Sequence, residues 1–431
     1  MSELGTNERK CNDSRNGGGT EVSRPISLDD LSSAVGGTAA AFRCRRRLQP
    51  GGGEGDKVFP PTFAGAVYAV EQRRVPGRGE PVTCVLLDSV QSQANRMEFA
   101  LQDAVDGGRI QLPLVEVDFS DHDPTGDVAA DIAAGRLIDA VGKVTSLQVP
   151  HRLADAILRD SELGGSPFRQ SDKGKALNTV SLGQATPLLE LCPTALVFGM
   201  WDSTGPKGGL GAKFERAMVS EVVGIGAAVH DSHRARGVRR DPLEVRKGVS
   251  ITKAADKSWA LADAKTKGAV RPSEINHGSV PFDTENAGVT IEYAEQTTTL
   301  SLICLRRLHF PLGGKTTPEA NEAARTLLAA LGLCAATLAF ESGMGLRSRC
   351  LLWPEAPMEW ELLERPGQEP TRFRLTGEEA TALLQQAADS ARAAGLPWPT
   401  EPLTLQPSAN LLELVRRSQQ LATQEESGEG S

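Results

Sequence analysis

The chain has 431 residues, more than one small core usually needs, so we expect two lobes or one elaborated domain. Its hydrophobic fraction of 39% and charged fraction of 24% are those of a globular protein. The net charge of −8 argues against a free-standing nucleic-acid binder, and an aromatic content of only 4% argues against a site built from several stacked rings.

The charge is unevenly distributed along the chain. Residues 151–280 carry 19 Lys and Arg against 14 Asp and Glu, a balance of +5, whereas residues 355–431 carry 6 against 13, a balance of −7. Such polarity lets one face meet an anion while the other stays solvated, and random surface variation is the alternative.

Hydrophobic periodicity predicts a mixed order of strands and helices. In chain order the pattern predicts a strand over 81–88, a helix over 89–105 capped by Ser89 or Ser92, a helix over 152–163, a strand over 194–201, a helix over 212–229, a strand over 297–311, a helix over 317–342 begun by Thr317 and Pro318, short strands over 345–353 and 358–364, and helices around 376–394 and 409–421. This order suits an α+β or ferredoxin-like core better than a regular doubly wound sheet.

A glycine-rich segment, FGMWDSTGPKGGLGAKFER, joins the predicted strand over 194–201 to the predicted helix over 212–229. It is not a Walker A loop, because Gly211 is followed by Ala212 before Lys213, and it lacks the GxGxxG spacing of a dinucleotide site. A glycine loop that leads into a helix can still hold a phosphate through backbone N–H groups. A tight turn with solvated basic residues is the alternative.

Other candidate chemistry is sparse. The acidic segment with Asp118, Asp121, Asp123 and Asp127 lacks the glycine and terminal glutamate of an EF-hand loop, so a solvated loop is favoured over an Mg²⁺ site or a cleavage aspartate. The seven cysteines show no CxxC pair, which fits a reducing compartment, and we expect neither a metal site nor a cofactor. The N-terminus has no apolar core, and the longest apolar run, over 327–340, is shorter than a membrane span, so we expect a soluble cytoplasmic protein.

Five segments together resemble one protein family. They are LLDSVQSQANRMEFAL (86–101), GSPFRQS (165–171), ALVFGMWDSTGPKGGLGAKFERAMVSEVVG (195–224), RPSEINHGSV (271–280) and GLRSRCLLW (345–353). The chain resembles the RAMP-superfamily, Cas-seven-type backbone subunit of the type I-G (formerly I-U) CRISPR effector complex over most of residues 80–355.

The resemblance implies an α+β fold with an RRM-like (ferredoxin-like) palm that carries large insertions, one of which forms a thumb. We expect a flexible N-terminal segment over 1–60, the palm over 61–355 with the thumb at about 231–290, and a helical acidic C-terminal extension over 356–431. The implied function is a non-catalytic, oligomeric subunit that binds the backbone of the CRISPR guide RNA regardless of spacer sequence. Its implied partners are the guide RNA, target DNA through the guide, other copies of itself and other Cascade subunits. A metal-dependent RAMP ribonuclease that uses the acidic segment is the alternative.

The resemblance also suggests which residues contact RNA. The candidates are Lys207, Lys213 and Arg216 with the backbone of Gly208 and Gly209 for phosphates, Phe168 and Arg169, then Gln93, Asn95 and Arg96 on the first helix, Asn276 and His277, and Arg347 and Arg349. Three alternatives remain open at this point. Phe168 can be a core residue beside a surface Arg169, Asn95 can cap or orient a loop, and Arg347 and Arg349 can form salt bridges.

Overall fold

The computed structural model describes residues 23–64, 67–203, 211–229, 249–254, 259–275 and 288–427. The α-helices within them are α1 (Leu28–Gly36), α2 (Val90–Asp106), α3 (Val128–Ala134), α4 (Ala156–Arg159), α5 (Asp172–Ala176), α6 (Thr186–Leu191), α7 (Thr194–Phe198), α8 (Leu302–Arg306), α9 (Pro318–Glu341), α10 (Gly377–Ala393) and α11 (Ala409–Ser427). Short 3₁₀ turns cover Ser120–His122, Arg152–Ala154, Phe168–Gln170, Leu177–Thr179 and Pro272–Ile275.

The strands in the same residues are β1 (Arg24–Pro25), β2 (Ala41–Pro50), β3 (Lys57–Val58), β4 (Val70–Arg73), β5 (Val82–Asp88), β6 (Val115–Asp118), β7 (Lys143–Thr145), β8 (Ser161–Leu163), β9 (Ser166–Pro167), β10 (Met200–Trp201), β11 (Lys213–Phe214), β12 (Met218–Ile225), β13 (Ser250–Lys253), β14 (Trp259–Ala262), β15 (Val289–Thr290), β16 (Tyr293–Ser301), β17 (Met344–Arg347), β18 (Cys350–Pro354), β19 (Glu359–Leu363), β20 (Thr371–Arg374) and β21 (Leu403–Pro407).

The largest sheet has the strand order β1-β20-β19-β2-β16-β12-β5-β4, and the β17–β18 hairpin joins it through β2. Its neighbouring strands are antiparallel except β1 and β20. Buried and half-buried side chains alternate along β16, as in a strand with one covered face. A smaller sheet has the order β7-β6-β21-β8-β9. The mixed architecture is compatible with an α+β fold.

The long helix α9 is the centre of the core. It contacts α10, α2 and α1, and nearly all of its residues from Thr326 to Leu338 are buried. The sequence of this buried stretch has no charged residue on any face, as expected of a helix segment that is covered on every side, whereas Glu319 and Glu322 in the first turns are exposed. Among the described residues this is the one helix long and apolar enough to cross a membrane, and its burial is what the core helix of a soluble protein shows.

Several predicted elements are confirmed. The strand over 81–88 is β5, and the helix that follows it is α2, whose N-cap Ser89 accepts a hydrogen bond from the Ser92 N–H. The predicted helix over 317–342 is α9, with Thr317 as N-cap and Pro318 in the first turn. The last two predicted helices correspond to α10 and α11.

Other predicted elements are wrong. The predicted strand over 194–201 is mostly α7, since a short buried apolar run does not distinguish a helix from a strand. The predicted helix over 212–229 is β11 and β12, because β12 pairs with β5 and β16 on its two sides and its Val and Ile residues suit a strand. The predicted helix over 152–163 contains only a 3₁₀ turn, α4 and β8, and the predicted strand over 297–311 ends at Ser301, which caps α8.

The expected domain limits also change. Residues 1–22 of the expected N-terminal segment lie outside the described residues, but β2 within 1–60 is a central strand of the largest sheet. The expected extension over 356–431 contributes β19 and β20 to that sheet, β21 to the smaller one, and α10 to the contact with α9. Much of the expected thumb lies outside the described residues, and its described part contains the β13–β14 hairpin.

Candidate nucleic-acid interface

A short hairpin built from β10 and β11 carries two of the residues that define the candidate site. Met200 pairs with Phe214 and Trp201 with Lys213, and the Asp202 N–H donates to the Ala212 carbonyl at 3.0 Å. The chain enters the hairpin from α7 through Gly199, whose φ of 82° is open to glycine but strained for other residues.

A buried ion pair between Arg152 and Glu98 contacts the start of this hairpin. The Arg152 Nε and Nη2 atoms donate to the two carboxylate oxygens of Glu98 at 2.6 and 2.7 Å, and Arg152 Nη1 donates to the Gly199 carbonyl at 3.0 Å. Both side chains are less than a tenth exposed. Burial raises the pKa of Glu98, and the facing guanidinium opposes that rise. Arg152 has a positive φ of 51°, so its backbone is strained where it holds the hairpin.

A second ion pair fixes the other side of the hairpin. Arg169 pairs with Asp202, which directly follows Trp201, and both side chains are largely buried. The predicted contact residue Arg169 therefore has a counter-charge within the fold. Among the described residues, no hydrogen-bond partner reaches its buried Nε atom.

The hairpin forms one wall of a surface groove with a volume of about 820 Å³. Five cationic or titratable basic residues line it: His151, Arg152, Arg159, Lys213 and Arg216. Of these, Arg152 is committed to Glu98 and Arg159 pairs with the adjacent Asp160. Within the part of the chain that the structure describes, Lys213 and Arg216 are exposed and have no carboxylate partner, so they are the cations available to an anionic ligand.

Two aromatic side chains, Trp201 and the buried Phe214, line the same groove. The Trp201 side chain is 53% exposed, and the Lys213 ammonium lies 5.6 Å from the centroid of its ring. An exposed ring beside uncommitted cations is the combination that binds single-stranded nucleic acid without reading sequence.

A second basic cluster forms where β5 meets α2 and β17. The buried Asp88 carboxylate accepts from Gln93 Nε2 at 2.6 Å, from Arg96 Nε at 2.9 Å and from Arg347 Nη2 at 3.3 Å. Arg349 lies in the β17–β18 turn, with its guanidinium 4.3 Å from the centroid of the Phe59 ring. Its φ of 57° is strained for a non-glycine residue. We call Asp88, Arg96 and Arg347 the Asp88 cluster.

The structure brings some predicted site residues together and separates others. Lys213 and Arg216 share the groove, and Gln93, Arg96 and Arg347 meet at Asp88. Asn95 is exposed on α2. The remaining predicted residues of the glycine-rich and RPSEINHGSV segments, Lys207, Gly208, Gly209, Asn276 and His277, lie outside the described residues.

Two predicted contact residues are in the core. Gln93 is 3% exposed, and its side-chain oxygen accepts from Ser220 Oγ at 2.9 Å and from Gln296 Nε2 at 2.8 Å. Phe168 is fully buried, so its ring is a core residue and has no free face for a base. The predicted helix after the glycine-rich segment is absent, because Lys213 begins β11, and the expected cradle at a helix N-terminus is therefore wrong.

The acidic segment has structural contacts of its own. Both carboxylate oxygens of Asp123 accept backbone N–H groups, from Val141 at 2.8 Å and Gly142 at 2.9 Å. Asp127 caps α3 by accepting from the Ala130 N–H. No group of three or more His, Cys, Asp or Glu side chains placed to hold a metal ion occurs in the residues covered by the structure.

Sequence reasoning missed three residues that shape these sites. Trp201 was within the quoted glycine-rich segment, but its exposure depends on the hairpin. Arg152 gave no local signal, since its partner Glu98 is distant in sequence, and Asp88 meets Arg96 nearby in the chain but Arg347 only in the fold. A buried charge can be inferred from sequence only when its partner is also known.

Residues 42–229 match the family described as CRISPR-associated protein GSU0053. The match supports the assignment of this chain as a CRISPR-associated protein. It spans β2, β5, α2, the hairpin and β12. It therefore includes the groove and the positions of both Asp88 and Glu98. It also begins within the first 60 residues, which the resemblance to the type I-G subunit had left out. No curated protein sequence matches the chain significantly.

Proposed function

We propose that this protein is the non-catalytic, guide-RNA-binding backbone subunit of a type I-G CRISPR effector complex, of the RAMP superfamily and Cas-seven type. The observation that carries the proposal is the family match over residues 42–229, which covers the groove with its uncommitted cations. In this proposal copies of the chain stack along the guide RNA in the cytoplasm, meet other Cascade subunits, and reach target DNA through the guide.

The strand order supports an RRM-like palm. The chain runs through β2, α2, β12, β16, α9 and then β18 and β19, and these strands lie side by side in the order β19-β2-β16-β12. Both β2 and β16 are central, and each is antiparallel to its neighbours in this set. A βαββαβ unit has this arrangement, with β5 and β4 here extending one edge.

The charge distribution supports binding to an RNA backbone rather than to a nucleotide. Lys213 and Arg216 offer two positive charges in an open groove, and Arg96 and Arg347 together exceed the charge of the single carboxylate, Asp88, that they share. Such contacts position a phosphate backbone without reading bases. The negative net charge of the chain is compatible with this, since a single basic groove per copy is sufficient.

The test is co-expression with a CRISPR array, followed by purification and the ratio of absorbance at the nucleic-acid and protein maxima before and after RNase. We expect RNA in a repeat–spacer register to co-purify, and the double variant Lys213→Ala, Arg216→Ala to lose most of it. The matched control is Lys315→Ala, Arg365→Ala, which removes two exposed cations that do not line the groove.

Two results contradict the proposal. One is a wild-type protein that purifies without RNA from cells that express the array. The other is Mg²⁺-dependent cleavage of a complementary RNA that is lost in Asp121→Ala, which would establish the ribonuclease instead. Retention of RNA by the Lys213, Arg216 variant would contradict only the assignment of the groove.

A further inference from the structure

We propose that Trp201 stacks on an unpaired nucleobase of single-stranded RNA whose phosphates lie along Lys213 and Arg216. The inference rests on the proposed RNA-binding function and assigns the base-contacting residue of the groove. It requires one accessible ring face, adjacent uncommitted cations and a rigid support.

The first requirement is met by the exposure of Trp201. Its side chain is 53% exposed, whereas Trp360 and Trp398 are almost fully buried. An exposed tryptophan at the mouth of a groove loses little by leaving water when a base covers it, and base–aromatic stacking is favourable for every base.

The second requirement is met by the cross-strand neighbour. Lys213 is paired with Trp201 in the hairpin register, and its ammonium lies 5.6 Å from the ring centroid. Arg216 lines the same groove, and Gly199 lies against its side chain. A nucleotide can therefore place its base on the ring and its phosphate between the two cations.

The third requirement, a rigid support, is met by the two buried ion pairs at the hairpin, Arg152 with Glu98 and Arg169 with Asp202. Arg152 holds the Gly199 carbonyl two residues before Trp201, and Arg169 holds Asp202, the residue after it. Because both anchors are buried, the backbone on either side of Trp201 is held in place before the ligand arrives, and less conformational entropy is lost on binding.

Stacking of this kind selects single strands over duplexes. In a duplex each base is already stacked and paired, so the exposed ring of Trp201 has no free base face to contact. The two cations contact the phosphates of either form. The preference of the groove for single-stranded RNA should therefore depend on the ring, and its affinity for any phosphate backbone on Lys213 and Arg216.

The experiment measures binding of fluorescein-labelled oligoadenylate, and of its duplex with oligouridylate, to protein freed of bound RNA. The variants are Trp201→Leu, which keeps an apolar side chain without a ring, and Trp201→Phe, which keeps a smaller ring. Trp353→Leu is the matched control, because Trp353 is 72% exposed on β18 and does not line the groove. Far-UV circular dichroism verifies that each variant is folded.

We expect Trp201→Leu to bind the single strand about tenfold more weakly, which is about 1.4 kcal/mol. Trp201→Phe should lie between it and the wild type, duplex binding should change little, and Trp353→Leu should bind as the wild type does. The oligoadenylate should also quench tryptophan fluorescence in the wild type and lose most of that quenching in Trp201→Leu.

Two outcomes overturn the inference, and they are distinguishable. If the Trp201 variants bind the single strand normally while Lys213→Ala, Arg216→Ala binds weakly, stacking is wrong and the proposed RNA-binding function stands. If the wild type binds neither form of RNA, the proposed function fails and this inference fails with it.

Discussion

Replacing Glu98 by alanine removes the counter-charge of Arg152 inside the protein. The guanidinium loses two hydrogen bonds, of 2.6 and 2.7 Å, and keeps only the bond to the Gly199 carbonyl. Because Arg152 is less than a tenth exposed, water replaces little of what is lost. Removing one partner of a buried pair costs about 3–5 kcal/mol, and we expect Glu98→Ala to lower the free energy of unfolding by that amount.

The double variant Glu98→Leu, Arg152→Met separates this cost from simple loss of contacts. It removes both charges and fills the site with apolar side chains, which is often close to neutral for stability. It still loses the bond to the Gly199 carbonyl, so we expect a net loss of about 1–2 kcal/mol. The double variant should therefore be more stable than Glu98→Ala.

The assay is urea denaturation of the three proteins, followed by far-UV circular dichroism at neutral pH. The reasoning is refuted if Glu98→Ala costs less than the double variant, because the penalty would then not arise from an uncompensated buried charge. A cost for Glu98→Ala near zero would refute the buried pair itself.

Three further predictions concern other charged groups. Hydrogen bonds from Arg24 hold the pKa of Asp30 well below its usual range. Ionised Asp30 therefore stabilises the fold above the unfolded-state pKa of about 3.9, and this stabilisation is lost as the pH falls. The stability difference between wild type and Asp30→Asn, measured by urea unfolding at pH 7 and pH 3, should shrink at pH 3, and an unchanged difference would contradict the assigned ion pair. Asp88→Asn removes the charge that faces Arg96 and Arg347. It should lower the free energy of unfolding by about 2–3 kcal/mol, less than for a fully buried pair, since Arg96 is partly solvated. The exposed control Asp103→Asn should change the free energy of unfolding by less than about 0.5 kcal/mol, and equal effects would argue against the Asp88 cluster. Loss of both Lys213 and Arg216 should reduce the salt dependence of single-strand RNA binding, as the slope of log affinity against log salt, by about 1.4; titrations at several salt concentrations measure it, and an unchanged slope would mean that these side chains do not contact phosphates.

Local sequence determined the elements whose signals are complete within a few residues. Thr317 was predicted to begin α9 and Ser89 or Ser92 to cap α2, because a side-chain oxygen that accepts from the first turn favours a helix start; the caps are Thr317 and Ser89. The apolar segment over 327–340 is shorter than a membrane span, and in the fold it is the largely buried part of α9. The resemblance to a CRISPR-associated family was also readable from sequence, and residues 42–229 match such a family.

Tertiary structure decided the segments whose partners are distant in sequence. Residues 218–225 form a strand because β5 and β16 lie on both sides of them, and Gly224 fits there since an added Cβ would lie 2.7 Å from Ile291 Cγ2. The predicted phosphate site at a helix N-terminus does not form, because strands β11 and β12 stand where the helix was expected. Lys213 instead lies on the hairpin that forms one wall of the groove. The predicted residues Lys213 and Arg216 remain together in the groove, but the hairpin that places Trp201 beside Lys213 is held at Gly199 by Arg152, whose partner Glu98 it meets only in the folded chain.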